Sequence, residues 1–308
     1  MGKKVRVAVI QTGSVLFEKN ASVDKVVSWL NRAAREQARL VLFPEAFIPG
    51  YPRGMHFGAA VGSRTPAGRK SWEQYYHNAI DLAENELSPV AEAVAKHKFF
   101  LSLGIIEKDA GSLYCTQVLF TPAGEIAGKH RKIKPTGTER IIWAEGDGST
   151  LTTFKTPIGI LGTLICWENY MPLARMSLYR KGVTIYLAPT ADQRDIWLSS
   201  MKHIAAEGRC FVLSANQYIQ HKDYPVDIIQ AENLTPEQTA CRGGSVIVSP
   251  SGDVISGPLY DREGILLADL DMDAVVRGKM DLDVAGHYNR PDVFRFNVPD
   301  QPGTKDIG

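Results

Sequence analysis

Three residues that stand far apart in the chain could together open a bond at an electrophilic carbon: Cys166, Glu45 and a lysine of the basic run Lys129-His130-Arg131-Lys132-Ile133-Lys134-Pro135. A thiol can supply the nucleophile, a carboxylate can carry the proton, and an ammonium can meet the negative charge that develops. Cys166 follows the apolar segment 158–165 and precedes Trp167-Glu168-Asn169-Tyr170-Met171-Pro172, where a helix begins. That is a strand-to-helix elbow, and it presents the sulfur to the crevice beyond a strand's carboxyl end, with backbone N–H groups at hand. Glu45 lies just past the apolar run 40–43, between Pro44 and Phe47. Partial desolvation there raises a carboxyl pKa toward the range of a general base. Spacing alone does not choose between Lys132 and Lys134. Glu139, seven residues beyond Lys132, is near enough to hold an ammonium in one direction. Taken singly, each residue also fits an ordinary role: a buried thiol, a surface ion pair, a solvated edge strand.

The elements that must position these groups read as a layered α/β chain. The β-branched segment 5–10 is followed by apolar positions 23, 26, 27, 30, 33 and 34 at helical spacing, with Asn20 and Ser22 as candidate N-caps, and then by the strand 40–43. A second β-α-β pass starts at Ser88-Pro89, with Val90, Ala93, Val94 and His97 on one helix face before the strand 99–106. Segments 114–121 and 125–129 flank Pro122-Ala123-Gly124 as an edge hairpin. The strand 158–165, a helix 172–181 stopped by Gly182, a strand 183–187, a helix 197–207, a strand 211–214 and a hairpin of 245–249 with 254–255 complete the order. Segments 51–70 and 222–244 carry many Gly, Pro and polar residues and are expected to be surface loops. No linker or repeat interrupts this order, so residues 1–308 are expected to form a single domain.

Composition narrows the class of partner. Lys plus Arg total 35 against 34 for Asp plus Glu, and a net charge of +1 provides no field that would gather nucleic acid or an anionic membrane. The expected partner is a small molecule. No apolar run approaches the ~20 residues of a membrane span, and the chain enters a strand-like alternation at once, so a soluble cytoplasmic protein is expected. Four scattered cysteines, Cys115, Cys166, Cys210 and Cys241, match neither a disulfide framework nor paired zinc ligands, and are expected to be free thiols. No zinc-type ligand cluster and no Gly-x-Gly-x-x-Gly loop is present, so neither metal nor organic cofactor is expected.

In their order along the chain these residues resemble the nitrilase superfamily of carbon-nitrogen hydrolases. Pro44-Glu45-Ala46-Phe47 is similar to its glutamate motif, His130-Arg131-Lys132 to its lysine motif, and Cys166-Trp167-Glu168-Asn169-Tyr170-Met171-Pro172 to its cysteine motif. The last is the sharpest, and it resembles the nitrilase branch more than the amidase, carbamoylase or acyltransferase branches. Pro135-Thr136-Gly137-Thr138-Glu139-Arg140 and Gly286-His287-Tyr288-Asn289-Arg290-Pro291-Asp292 support that branch. One departure is Cys115, where relatives commonly carry asparagine.

The resemblance implies a four-layer α-β-β-α sandwich and resolves the lysine to Lys132, with Glu139 orienting it. It implies a nitrilase that converts an organic nitrile to the carboxylic acid and ammonia through a covalent thioimidate and thioester on Cys166. On this reading the Lys132 ammonium favours the Cys166 thiolate, Glu45 takes the thiol proton, and Lys132 with the N–H of Trp167 meets the developing charge. Trp167, Tyr51, Thr136 and Thr190 are the expected pocket residues. Relatives pair near the cysteine elbow, which implies a homodimer or a higher homo-oligomer extending into spirals. Two other readings use the same residues differently: an amidase or carbamoylase with the same catalytic set, and a catalytically silent binding protein on this fold. Cys166→Ala is expected to abolish ammonia release while leaving the circular dichroism spectrum and melting temperature close to those of the parent; normal turnover by that variant would exclude covalent catalysis by Cys166.

Overall fold

Alternation at the start of the chain decides the first layer. In β1 (Lys4–Gln11), Val5, Val7 and Val9 alternate with Ala8 and Ile10, and both sets are buried. A strand buried on both faces belongs inside a layered structure. The computed structural model describes residues 4–299, and β1 is followed by α1 (Lys19–Arg35) and β2 (Leu40–Leu42), the expected β-α-β unit. A small hairpin, β3 (Ala59–Ala60) and β4 (Ser63–Arg64), leads to α2 (Pro66–Asn78). Next come α3 (Ser88–His97), β5 (Phe100–Asp109), β6 (Ser112–Phe120) and β7 (Ile126–Arg131). The second half begins with β8 (Thr153–Thr156), β9 (Gly159–Thr163), α4 (Pro172–Arg180) and β10 (Ile185–Leu187). It continues with α5 (Asp195–Gly208), β11 (Phe211–Ser214), β12 (Tyr218–Gln220) and α6 (Val226–Ala231). The last elements are β13 (Thr239–Val248), β14 (Val254–Tyr260), β15 (Gly264–Asp271) and α7 (Asp273–Asp281).

Two sheets result. The first runs β15-β1-β2-β5-β6-β7, and the second runs β12-β13-β11-β10-β9-β8 with β14 also paired to β13. β1, β2 and β5 are parallel to one another, as are β9, β10 and β11. Val7, Val9, Leu40 and Leu42 of the first sheet pack against Leu161, Ile185 and Leu213 of the second. On the outer face of the first sheet, Val26 and Leu30 of α1 and Val90 and Val94 of α3 cover Ile10, Val41 and Leu101. Leu178 of α4 and Trp197, Met201 and Ile204 of α5 cover Tyr186, Val212 and Val248 of the second. The order is helix, sheet, sheet, helix, which is the four-layer α-β-β-α sandwich that the family resemblance implies.

Several boundaries differ from the sequence reading for physical reasons. Segment 51–70 is not all loop: α2 starts at Pro66, capped by the Thr65 hydroxyl, which accepts from the Gly68 N–H at 3.0 Å. Only Gly68 and Tyr75 of that helix are buried, so it shows no apolar stripe to read. Segment 222–244 holds α6, with Ile228 as its buried residue, and the start of β13. Ser22 is inside α1 instead of capping it, and its hydroxyl donates to the Val15 carbonyl. Among the described residues, no helix is long and apolar enough to cross a membrane.

The turn after β2 lies flat against β5. Both the Phe47 and Ile48 N–H groups donate to the Gly104 carbonyl, and a Cβ on Gly104 would stand 2.1 Å from the Pro44 oxygen and 2.7 Å from the Glu45 Cα. Only glycine allows that approach. Gly104→Ala is therefore expected to cost about 1–3 kcal/mol and to lower turnover further than the loss of folded protein accounts for, as read from a thermal melt paired with an ammonia assay.

Candidate active site

Each part of the candidate site stands where a strand ends. Glu45 follows β2, Cys166 follows β9 and Thr190 follows β10, all at carboxyl ends of parallel strands, while Lys132 directly follows the edge strand β7. Glu45, Lys132, Glu139 and Cys166 are 0%, 1%, 8% and 4% exposed. The structure brings the four into one place.

Cys166 opens a 3-10 turn (Cys166–Tyr170) with φ of +51°. A non-glycine residue in the left-handed region is held there only by its surroundings. The Cys166 N–H donates to the Pro189 carbonyl at 2.8 Å, and Asn169 Nδ2 donates to the Cys166 and Leu164 carbonyls. The Thr190 hydroxyl donates to the sulfur at 3.2 Å. The Trp167 N–H lies in the first turn, among the groups a helix leaves without partners of its own.

Burial separates the two lysines. Lys134 pairs with Glu145 at the surface, both side chains about half exposed, whereas Lys132 is enclosed. Its Nζ lies 2.7 Å from Glu139 Oε2 and 3.7 Å from Glu45 Oε2, with the Trp143 ring centroid 5.7 Å away. Glu139 is itself fixed, accepting from the Tyr51 hydroxyl at 2.7 Å and from the Thr136 N–H at 2.6 Å. The Lys132 main chain is held at both ends, its N–H by the Cys115 carbonyl and its own carbonyl by the Gly146 N–H. Cys115 thus contributes through its backbone.

Electrostatics separates the roles these groups can take. Among the described residues, neither Glu45 side-chain oxygen has a hydrogen-bond partner, and burial pushes the carboxyl up to about 8 against the pull of Lys132. Burial and the neighbouring Glu45 push the Cys166 thiol up to about 12, outweighing Lys132 and the Thr190 hydrogen bond. The desolvation cost exceeds the attraction of one ammonium, so burial favours the thiol over the thiolate, and Lys132 alone does not offset it. Burial opposes the charge on Lys132, but Glu45, Cys166 and Glu139 together raise its pKa well above the ordinary lysine value.

Sequence reasoning missed a second ring of residues. Glu168 accepts from the Ile165 N–H and the Ile133 N–H, each at 2.6 Å, and pairs with His130 Nε2 at 3.0 Å, so it ties the cysteine elbow to the lysine segment. His130 Nδ1 faces the Thr150 carbonyl at 3.1 Å; with acceptors at both ring nitrogens, the ring is an imidazolium, and its pKa is raised by Glu168 against burial. Gln217 donates to the Glu45 carbonyl at 3.0 Å.

An open cleft of about 270 Å³ leads to the sulfur, lined by Tyr51, Thr136, Glu139, Cys166 and Trp167 and by Arg53 and residues 191–194. Tyr51, Thr136 and Trp167 are thus among its lining residues. Thr190 is fully buried and touches the sulfur without lining the cleft. At the mouth, the Trp167 indole N–H donates to Asp192 at 2.9 Å, and the Arg194 guanidinium, paired with Asp192, lies 4.6 Å from the Trp167 ring centroid. The address of residues 191–194, beyond β10, was the available signal for them. Among the described residues, no group of three His, Cys, Asp or Glu is arranged to hold a metal ion. All four cysteines are free thiols, and all are buried.

Fold and site together define a class: a layered α/β protein with a cysteine at a strand-to-helix elbow, faced by a buried carboxylate and a buried ammonium. The carbon-nitrogen hydrolase family model matches residues 6–279, and the chain belongs to that family. It is 50% identical over 303 residues to a bifunctional nitrilase/nitrile hydratase of Lupinus angustifolius, covering 97% of this chain and 87% of the relative. It is 48% identical over 299 residues to an aliphatic nitrilase of Sinorhizobium fredii, covering 97% of each. The fold matches the crystal structure of a carbon-nitrogen hydrolase from Helicobacter pylori with a TM-score of 0.75 at 20% identity, covering 94% of this chain and 97% of that one.

A base with its pKa near 8 acts only when ionised, so kcat/KM is expected to rise with pH through about 8 and then level off. The limb belongs to the coupled set of groups and not to one residue alone. A pH profile with a nitrile substrate measures it, and a limb confined to pH 4–5 would contradict the desolvated carboxyl.

Proposed function

We propose that the protein is a nitrilase, hydrolysing an organic nitrile to a carboxylic acid and ammonia, with Cys166 as nucleophile, Glu45 as general acid and base, Lys132 as the cation at the developing charge, and Glu139 as the residue that orients Lys132. The observation that carries this reading is the burial of all four groups, with Lys132 within 4 Å of both glutamates and with Glu139 and Cys166 lining one cleft, in a chain about half identical to named nitrilases.

The chemistry follows from the geometry. Because the thiol is protonated, attack and proton loss occur together: Sγ adds to the nitrile carbon as the proton passes to Glu45, which returns it to the nitrogen to give a thioimidate. A water then adds across the C=N bond, with Glu45 taking its proton. Lys132 and the Trp167 N–H stabilise the tetrahedral species. Protonation of the nitrogen and cleavage of C–N releases ammonia and leaves a thioester. A second water cleaves the C–S bond, giving the acid and restoring the thiol. Two waters are consumed per nitrile. If C–S breaks first, the product is the amide, so a minor amide yield belongs to the same mechanism. Tyr51, Thr136 and Trp167 are proposed to contact the substrate, and Thr190 to act through the sulfur.

Residues 1–308 are proposed to act as one domain in the cytoplasm, on a small nitrile and without a cofactor. Self-association is supported by the exposed apolar side chains beside the elbow, Leu173 at 68% and Ile196 at 55% exposure. A homodimer or larger homo-oligomer buries them.

Comparison of each nitrile in a panel with its cognate amide tests the assignment. Ammonia release from the nitrile is expected to exceed that from the amide by at least about tenfold, a difference of about 1.4 kcal/mol in barrier. Faster turnover of the amide assigns the protein to amidase chemistry. Absence of any covalent adduct by mass spectrometry, across the panel, assigns it to binding alone.

A further inference from the structure

Between the two sheets, away from the cleft, lies a small chamber of about 10 Å³. Apolar side chains such as Leu119, Leu161 and Leu187 form most of its wall, but Ser102, Gln117 and Thr163 also line it. These three are 1%, 2% and 7% exposed. Gln117 Oε1 and Thr163 Oγ1 have no hydrogen-bond partner among the described residues. The orientation of the Gln117 amide is set by its other end: Nε2 donates to the Phe43 carbonyl at 3.5 Å, which can only accept, and to Ser102 Oγ at 2.8 Å. The carbonyl oxygen is therefore the end without a partner.

Two orphaned polar atoms in one apolar chamber are unfavourable unless something polar joins them, because each otherwise carries its full desolvation cost. A chamber of about one probe sphere is the size that holds a single water, and a buried water needs two to four polar partners. We propose that the chamber is an internal water site, in which one water bridges Gln117, Thr163 and Ser102 and so joins the two sheets by hydrogen bonds. The water donates to Gln117 Oε1, which can only accept, and receives from the hydroxyls of Thr163 and Ser102, whose proton is not used by Gln117. Ser102 and Gln117 belong to β5 and β6 of the first sheet, and Thr163 ends β9 of the second, three residues before Cys166. Apolar packing does not fix the sliding of one sheet over the other in direction, whereas a three-way hydrogen bond does.

The test has two arms on the full chain. In a high-resolution crystal structure of the unmodified protein, one density peak is expected within hydrogen-bond distance of Gln117 Oε1 and Thr163 Oγ1. In solution, Gln117→Leu and Thr163→Val each remove one partner and are expected to lower the melting temperature by about 2–6 °C. The double variant leaves Ser102 as the one polar side chain in the wall, too few partners to hold a water, and its loss is expected to be no greater than that of the worse single variant. A chamber without density, or single losses that simply add in the double variant, overturns the proposal. If a variant fails to fold, the density in the unmodified protein decides.

Discussion

The structure turns on one electrostatic balance: a carboxylate, Glu45, buried without a hydrogen bond from any described residue and compensated chiefly by an ammonium 3.7 Å away. Removing an ion from water costs several kcal/mol, and one opposite charge at about 4 Å returns roughly 4 kcal/mol at the effective dielectric of a protein interior. The attraction offsets only part of the cost, which is why the carboxyl is held well above its ordinary value, at about 8. Lys132 in turn keeps its charge because Glu139 shares it at 2.7 Å. Were either glutamate missing, the lysine would be a buried cation with one partner fewer.

This balance demands positional accuracy that loops alone do not supply. The fold supplies it by rooting the groups in both sheets: Glu45 and Lys132 in the first, Cys166 and Thr190 in the second. Contacts then cross from one to the other. Glu168, beside the cysteine, grips the N–H next to Lys132; Gln217, beyond β11, grips the carbonyl of Glu45. The charged site thus lies across the seam between the sheets, and its geometry depends on their register.

What the sequence disclosed follows from where these residues sit. Cys166 and Glu45 could be found because each directly follows an apolar strand, and the β-α-β units showed in periodicity that both core faces impose. Lys132 could not be told from Lys134 by local pattern, since burial of one and exposure of the other is decided by packing against Trp143 and Glu139; only family likeness made the choice. Glu168 was quoted within a motif but given no task, because its partners, His130 and Ile133, come from another sheet. Asp192 and Arg194 pair with each other and with Trp167 across 25 positions, a contact no periodicity encodes. Helix α2 escaped notice because it buries little, though Thr65-Pro66 carried a capping signal. The thiol's protonation state also could not be read from residue types, because it depends on how completely the site is desolvated.

The left-handed backbone at Cys166 acts as a filter on what the elbow can carry. Cysteine and serine carry one heavy atom on Cβ and alanine none, and all three tolerate φ of +51° at modest cost, but a β-branched side chain there collides with its own backbone. Threonine is thereby barred from serving as the attacking residue on steric grounds, whatever its reactivity. Any redesign that swaps the reactive atom at this position is confined to unbranched side chains.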